Sequence, residues 1–202
     1  MNVPQGGLQA EGLAAIQGER LVFAGIGFCV PPGGALLLEG PNGSGKSTLL
    51  RVLAGLGRAE AGRVLWNGTD ALADRAGHAA NVAYLGHLDA IKPGLSAAEN
   101  LGFWGTPGAI AAALDRMGLV KLAELPARML SAGQKRRLAL ARLVLSTAPI
   151  WLLDEPTLGL DVASVAGLGG LLAEHRGRGG VVLAATHLPL PLPDAASLRM
   201  AA

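Results

Sequence analysis

Gly40-Pro41-Asn42-Gly43-Ser44-Gly45-Lys46-Ser47, followed by Thr48, is the segment of this 202-residue chain best equipped for chemistry. Glycines at its first, fourth and sixth places let the backbone curl until successive N–H groups face one anion. A helix starting directly behind adds the partial positive charge of its N-terminus. Lys46 is placed to reach the outer phosphates of a nucleotide, and the Ser47 hydroxyl to ligate Mg²⁺. A glycine-rich turn before a helix is the competing structural reading, and the completeness of the pattern weighs against it.

Ile150-Trp151-Leu152-Leu153-Asp154-Glu155 is a second such segment, an apolar run ending in two carboxylates. Acids at a strand end lie on the rim where open α/β sheets bind ligands. Asp154 is expected to hold Mg²⁺ opposite Ser47. Glu155 borders the metal without being needed as a ligand, and so can orient or deprotonate an attacking water.

The elements that must carry these groups are legible as short apolar runs between turns. Ala35 to Leu38 reads as a strand entering the glycine loop, and Lys46 to Leu56 as the helix leaving it. Gly62 to Trp66 reads as a hairpin strand closed by Asn67-Gly68, and Val82 to Leu85 as a further short strand. From about 95 to 140 the pattern is helical, a lobe inserted in an α/β core. Ile150 to Leu153 and Val181 to Ala185 return to buried-strand character, and Pro189 to Pro193 is expected to leave the core extended. The whole, residues 1–202, reads as one domain.

Composition narrows the classes. Hydrophobic residues make up 50% and charged ones 16%, which excludes a disordered tail, and a single cysteine excludes a disulfide scaffold. Cys29 is expected to be a small buried hydrophobe. A net charge of +2 lacks the bias of a protein that grips nucleic acid, although the pI is 9.0. Mean hydropathy is high at +0.40. No stretch approaches the roughly 20 apolar residues that cross a bilayer, and the N-terminus shows no secretory pattern. The chain is expected to stay in the cytosol, docked on an apolar partner.

Leu130-Ser131-Ala132-Gly133-Gln134 precedes a helix, and Ser131 and Gln134 have the spacing of a capping box. Its place just before the acidic strand resembles the ATP-binding-cassette family, whose Leu-Ser-Gly-Gly-Gln signature contacts the γ phosphate held by the other subunit. Ala132 departs from that signature. Thr157-Leu158-Gly159-Leu160-Asp161 resembles the D-loop, with Asp161 across the dimer seam, and Ala185-Thr186-His187 the switch-histidine strand end. The resemblance implies that His187 bonds the γ phosphate and steadies Glu155. It further implies a P-loop nucleoside-triphosphatase fold with a parallel-sheet core, an antiparallel β subdomain and the helical lobe.

Two positions depart from the family pattern. Its Q-loop glutamine falls where His87 or Leu88 stands, and the aromatic that stacks on adenine falls at Gln17, with Arg20 or Phe23 as substitutes. The run Ile91 to Leu101, the alanine-bearing signature and a chain ending soon after His187 resemble one subfamily, the haem-exporter ATPases of bacterial cytochrome c maturation. That implies ATP and Mg²⁺ as cofactors, a homodimer when ATP is bound, integral-membrane partners at the cytoplasmic face of the inner membrane, and haem-handling proteins indirectly. No nucleic acid is expected. Another ABC exporter or importer subunit is the nearest alternative. A cassette protein of nucleic-acid processing is expected to carry a long coiled coil or a second cassette, for which 202 residues leave no room, and a GTPase an Asn/Thr-Lys-x-Asp motif, which none of Lys46, Lys92, Lys121 and Lys135 fits.

Overall fold

A computed structural model describes residues 6–201; residues 1–5, on which part of the leader reading rests, lie outside them. Five parallel strands form the core sheet: β3 (Ala35–Glu39), β6 (Val82–Leu85), β7 (Ile150–Asp154), β8 (Val181–Ala185) and β9 (Ala196–Arg199). Their spatial order is β6-β7-β8-β3-β9. The strand bearing the acids and the strand feeding the glycine loop thus flank β8, and all three point the same way. Neighbouring strands lie about 4.8 Å apart, so three separate stretches of sequence deliver their chemistry to one rim.

β7 and β8 are buried at every residue. Such continuous apolar runs belong to sheets covered on both faces. Ile150 and Leu152 face one apolar cluster with Leu49 and Leu53 of helix α1 (Lys46–Leu53). Trp151 and Leu153 face the other, with Leu140 and Leu143 of α5 (Ala132–Leu145) and Leu168 and Leu172 of α6 (Val162–Gly177). Each such buried leucine contributes about 1.5–3 kcal/mol. α1 is shorter than its sequence pattern, ending at Leu53 rather than Leu56.

The first cluster is closed by an antiparallel sheet of β1 (Leu8–Gln17), β2 (Arg20–Val30), β4 (Ala61–Trp66) and β5 (Thr69–Asp70), in the order β2-β1-β4-β5. The hairpin of β4 and β5 turns at Asn67-Gly68 as its sequence dictates. A five-residue helix, α2 (Arg75–Ala79), follows it. Cys29 is exposed on β2, contrary to expectation, because its strand turns that position away from the core.

Between β6 and β7 stand α3 (Ala97–Leu101), α4 (Pro107–Arg116), two single-turn 3-10 helices and α5. They share a third apolar cluster that includes Leu101, Leu114 and Leu138. Pro107 opens α4 instead of merely ending what precedes it, since a first-turn proline has no N–H to lose. The tail also departs from expectation. Leu192 is buried, and β9 adds to the sheet beside β3, pairing Leu36 with Ala196 through Glu39 with Arg199. The apolar Leu192 and Met200 anchor the tail against the core on either side of that strand.

Candidate functional site

The glycine loop keeps its shape because three of its residues have φ values that side chains resist: 144° at Gly40, 83° at Gly43 and 93° at Gly45. Gly45 is further constrained, for a Cβ there would stand 2.6 Å from Cγ1 of Val22 on β2. The Lys46 ammonium bends back over the loop and donates to the carbonyls of Gly40 at 2.7 Å and Pro41 at 2.9 Å. It is thereby poised over the cradle. Ser44 is buried, with its hydroxyl lacking a hydrogen-bond partner.

Asn42, Gly43, Gly45, Lys46, Ser47 and Thr48 line a cavity of about 560 Å³. Asp154, Glu155, His87 and His187 close its far side, and Gln17, Arg20 and Val22 extend it along the β1–β2 turn. The volume suits a nucleotide. His87, rather than the 81% exposed Leu88, is the residue of that pair turned to the cavity, and Phe23 lies in the core instead. No carbon-ring aromatic lines the cavity among the described residues.

Asp154 is 3% exposed, and its Oδ2 has no hydrogen-bond partner. An unpartnered buried carboxylate oxygen on the cavity that Ser47 also lines is a donor set fitted to a small hard cation that takes its remaining ligands from phosphate and water. Glu155 follows with φ 49°, in the left-handed region that a side chain disfavours. Its amide donates to Ala185 at 2.7 Å, fixing the turn to β8. Its Oε1 lies 2.9 Å from Nδ1 of His187.

The signature residues stand elsewhere. Ser131 caps α5: its hydroxyl accepts from the Gln134 amide at 3.2 Å, and the Gln134 side chain accepts from the Ser131 amide at 2.8 Å. Ser131, Gly133, Gln134 and Asp161 border a separate cavity of about 260 Å³, and Ala132 beside them is exposed. A Cβ on Gly133 would meet the Gly159 carbonyl at 2.7 Å, so this glycine sets how closely the two loops approach. The Ser164 amide bonds Asp161 at 2.7 Å and holds its carboxyl below the ordinary range. Phosphate loop, acidic pair and both histidines are thus assembled on one cavity, the helix start and Asp161 on another.

Arg136 on α5 is 4% exposed and hydrogen-bonded to the backbone of the acidic turn, and it is ion-paired to Asp89 at 2.7 Å, a placement that no sequence motif announces. Only its position on the inner face of α5, beside Leu138 to Leu140, could have signalled this.

The comparisons agree with that geometry. The ABC transporter family model matches residues 23–158. The chain is 52% identical over 200 residues to the cytochrome c biogenesis ATP-binding export protein CcmA of Paramagnetospirillum magneticum, covering 95% of this chain and 92% of that protein. It is also 52% identical to the Rhodospirillum rubrum protein of the same name, covering 94% and 84%. Its fold matches the ADP conformation of an ATP-binding cassette of an ABC transporter with a TM-score of 0.78, at 22% identity, over 96% of this chain and 87% of that one. With a nucleotide-sized cavity floored by the glycine loop and walled by Asp154 and Glu155, the chain belongs to the ABC transporter family, as one of its ATP-binding, ATP-hydrolysing subunits.

Proposed function

We propose that the chain is the ATPase subunit of an exporter serving cytochrome c biogenesis, with the task that the names of its relatives describe. The observation that carries this reading is similarity at 52% identity along nearly the full length of both proteins. Among the described residues no helix is long and apolar enough to cross a membrane, so passage belongs to partner subunits. The chain would lie peripherally at the cytoplasmic face of the inner membrane and meet haem-handling proteins only through those partners.

The two separate cavities support a head-to-tail pair of chains, in which Ser131 and Gly133 of one copy complete the phosphate site of the other. Ser47 and Asp154 would hold Mg²⁺, which supplies charge neutralisation for the phosphates. Glu155 accepts a proton from water as that water's oxygen bonds the γ phosphorus. The bond from phosphorus to the bridging oxygen breaks, and ADP and phosphate leave. Lys46 and the capped start of α5 stabilise the spreading negative charge. His87 contributes a polar contact in the place of the family's glutamine, and Arg20 and Gln17 face the base.

Partner docking is supported by exposed apolar side chains flanking that loop: Leu88 at 81%, Phe103 at 83% and Trp104 at 50%. They form one neighbourhood, since Arg142 donates to the Asp89 carbonyl at 2.6 Å and lies over the Trp104 ring, while Lys92 lies over Phe103. A cytoplasmic helix of a membrane subunit would cover them. The test is complementation of a bacterium lacking its own CcmA protein. The wild-type chain should restore c-type cytochromes and Glu155→Gln should not; failure of the wild type, or success of the variant, refutes the reading.

A further inference from the structure

We infer that Arg136 is a positioning residue for hydrolysis: it clamps the backbone of the acidic turn to the segment 86–89, so that the aim of Glu155 follows the placement of that segment. The inference rests on the hydrolytic role proposed for Glu155.

The guanidinium of Arg136 reaches two segments at once. Nη2 donates to the carbonyls of Asp154 at 2.7 Å and Glu155 at 2.6 Å, and Nε to that of Pro156 at 3.4 Å. Nη1 donates to the Gly86 carbonyl at 3.1 Å and to Oδ1 of Asp89 at 2.7 Å. Its own backbone belongs to α5, about one and a half turns from Ser131. A planar fork of five N–H groups can satisfy acceptors in several directions, which a lysine ammonium cannot reproduce.

Neutralising a buried charge would need only Asp89. Three successive carbonyls instead converge on this side chain where Glu155 holds a φ of 49°. Such a backbone persists only where its surroundings over-determine it. Here the Glu155 amide is fixed by Ala185 and its carbonyl by Arg136, leaving the side chain to His187. Arg142 holds the same segment from the other end, through the Asp89 carbonyl. Displacing 86–89 along α5 therefore breaks the Nη1 contacts and frees the guanidinium that fixes the Glu155 carbonyl. Leu88, offered to the partner, lies within that segment.

The test is steady-state ATP hydrolysis by the full chain, with affinity for a non-hydrolysable ATP analogue measured alongside. Arg136→Gln should lower kcat by about 10- to 100-fold, the cost of misplacing a reacting group by about an ångström, while KM and analogue affinity stay within about 3-fold. Arg136→Lys should not restore kcat. Asp89→Asn, at the more accessible end of the ion pair, should lower kcat by a few fold, and the double variant should be no slower than Arg136→Gln alone, as expected of groups acting in series. Losses in kcat, KM and analogue affinity that move together with Tm mark a merely structural arginine and overturn the inference. So does an unaltered kcat in Asp89→Asn, which decides the matter alone where Arg136→Gln does not fold. Full activity in Glu155→Gln would strike the proposed reaction instead, and is read separately.

Discussion

Nδ1 of His187 lies 2.9 Å from Oε1 of Glu155, and the His187 amide faces Oε2 of the same carboxylate at 3.4 Å. The two residues lie just past the ends of neighbouring strands, β7 and β8, whose register pairs Asp154 with Ala185. With Nδ1 engaged by Glu155, Nε2 is left to meet a phosphate oxygen or a phosphate-bound water. His187→Ala should therefore lower kcat by about 100-fold with nucleotide affinity preserved, and adding Glu155→Gln should cost little more. Single-turnover hydrolysis of the two single variants and the double variant measures this.

Gly45 separates the demands of backbone and substrate. Alanine there must accept φ 93° and place its Cβ 2.6 Å from Val22. A strained backbone position costs about 1–3 kcal/mol, so Gly45→Ala should lower thermal stability and weaken ATP binding together. Gly43→Ala shares the positive φ but meets no atom within 4 Å, and Gly43 lines the cavity. Its loss should fall more on ATP binding than on Tm. Thermal melts with and without ATP distinguish the two.

Ser131 has two roles that a pair of substitutions resolves. Removing its hydroxyl deletes a helix cap worth about 1 kcal/mol, a modest shift in Tm. Ser131→Ala should keep the fold and reduce hydrolysis without abolishing it, because the helix start, though uncapped, still presents its amides to phosphate. Ser131→Arg should abolish hydrolysis and ATP-dependent dimerisation by filling the cavity shared with Gly133 and Asp161. Sedimentation with trapped ATP checks the second outcome; undiminished turnover in Ser131→Arg refutes a contribution across the dimer.

The site was legible where chemistry demands residue types at fixed spacing. The glycine loop, Asp154-Glu155 and Ser131 with Gln134 need particular atoms along a short stretch, and such needs leave a pattern in one dimension. Arg136 has no such pattern, because its acceptors are carbonyls of Gly86, Asp154, Glu155 and Pro156, which any residue supplies. The fold follows the same division. β7 and β8 are continuous apolar runs, whereas β1 and β2 are broken by Gly12, Gly25 and Gly27 and by bulges that shift their register. β9 is mostly exposed, and its placement comes from pairing with β3 and from Leu192 and Met200. Those are long-range contacts that local composition does not encode.

A pH effect follows from His175, which stacks on Trp151 at 3.9 Å between ring centroids, directly behind the strand bearing Asp154. Burial lowers its pKa from the ordinary 6.5, with hydrogen bonds to the Val181 and Pro149 carbonyls opposing that shift only in part. As pH falls below 6.5 the unfolded chain takes up the proton first, while the folded chain resists it. The stability this group confers is therefore full above 6.5 and declines as pH drops toward the lower, folded value, by at most about 1.4 kcal/mol per pH unit. Denaturant melts at a series of pH values should show that slope in the wild type. His175→Phe, which keeps a ring against Trp151 and cannot titrate, should flatten it; an equal slope in the variant would assign the acid sensitivity to other groups.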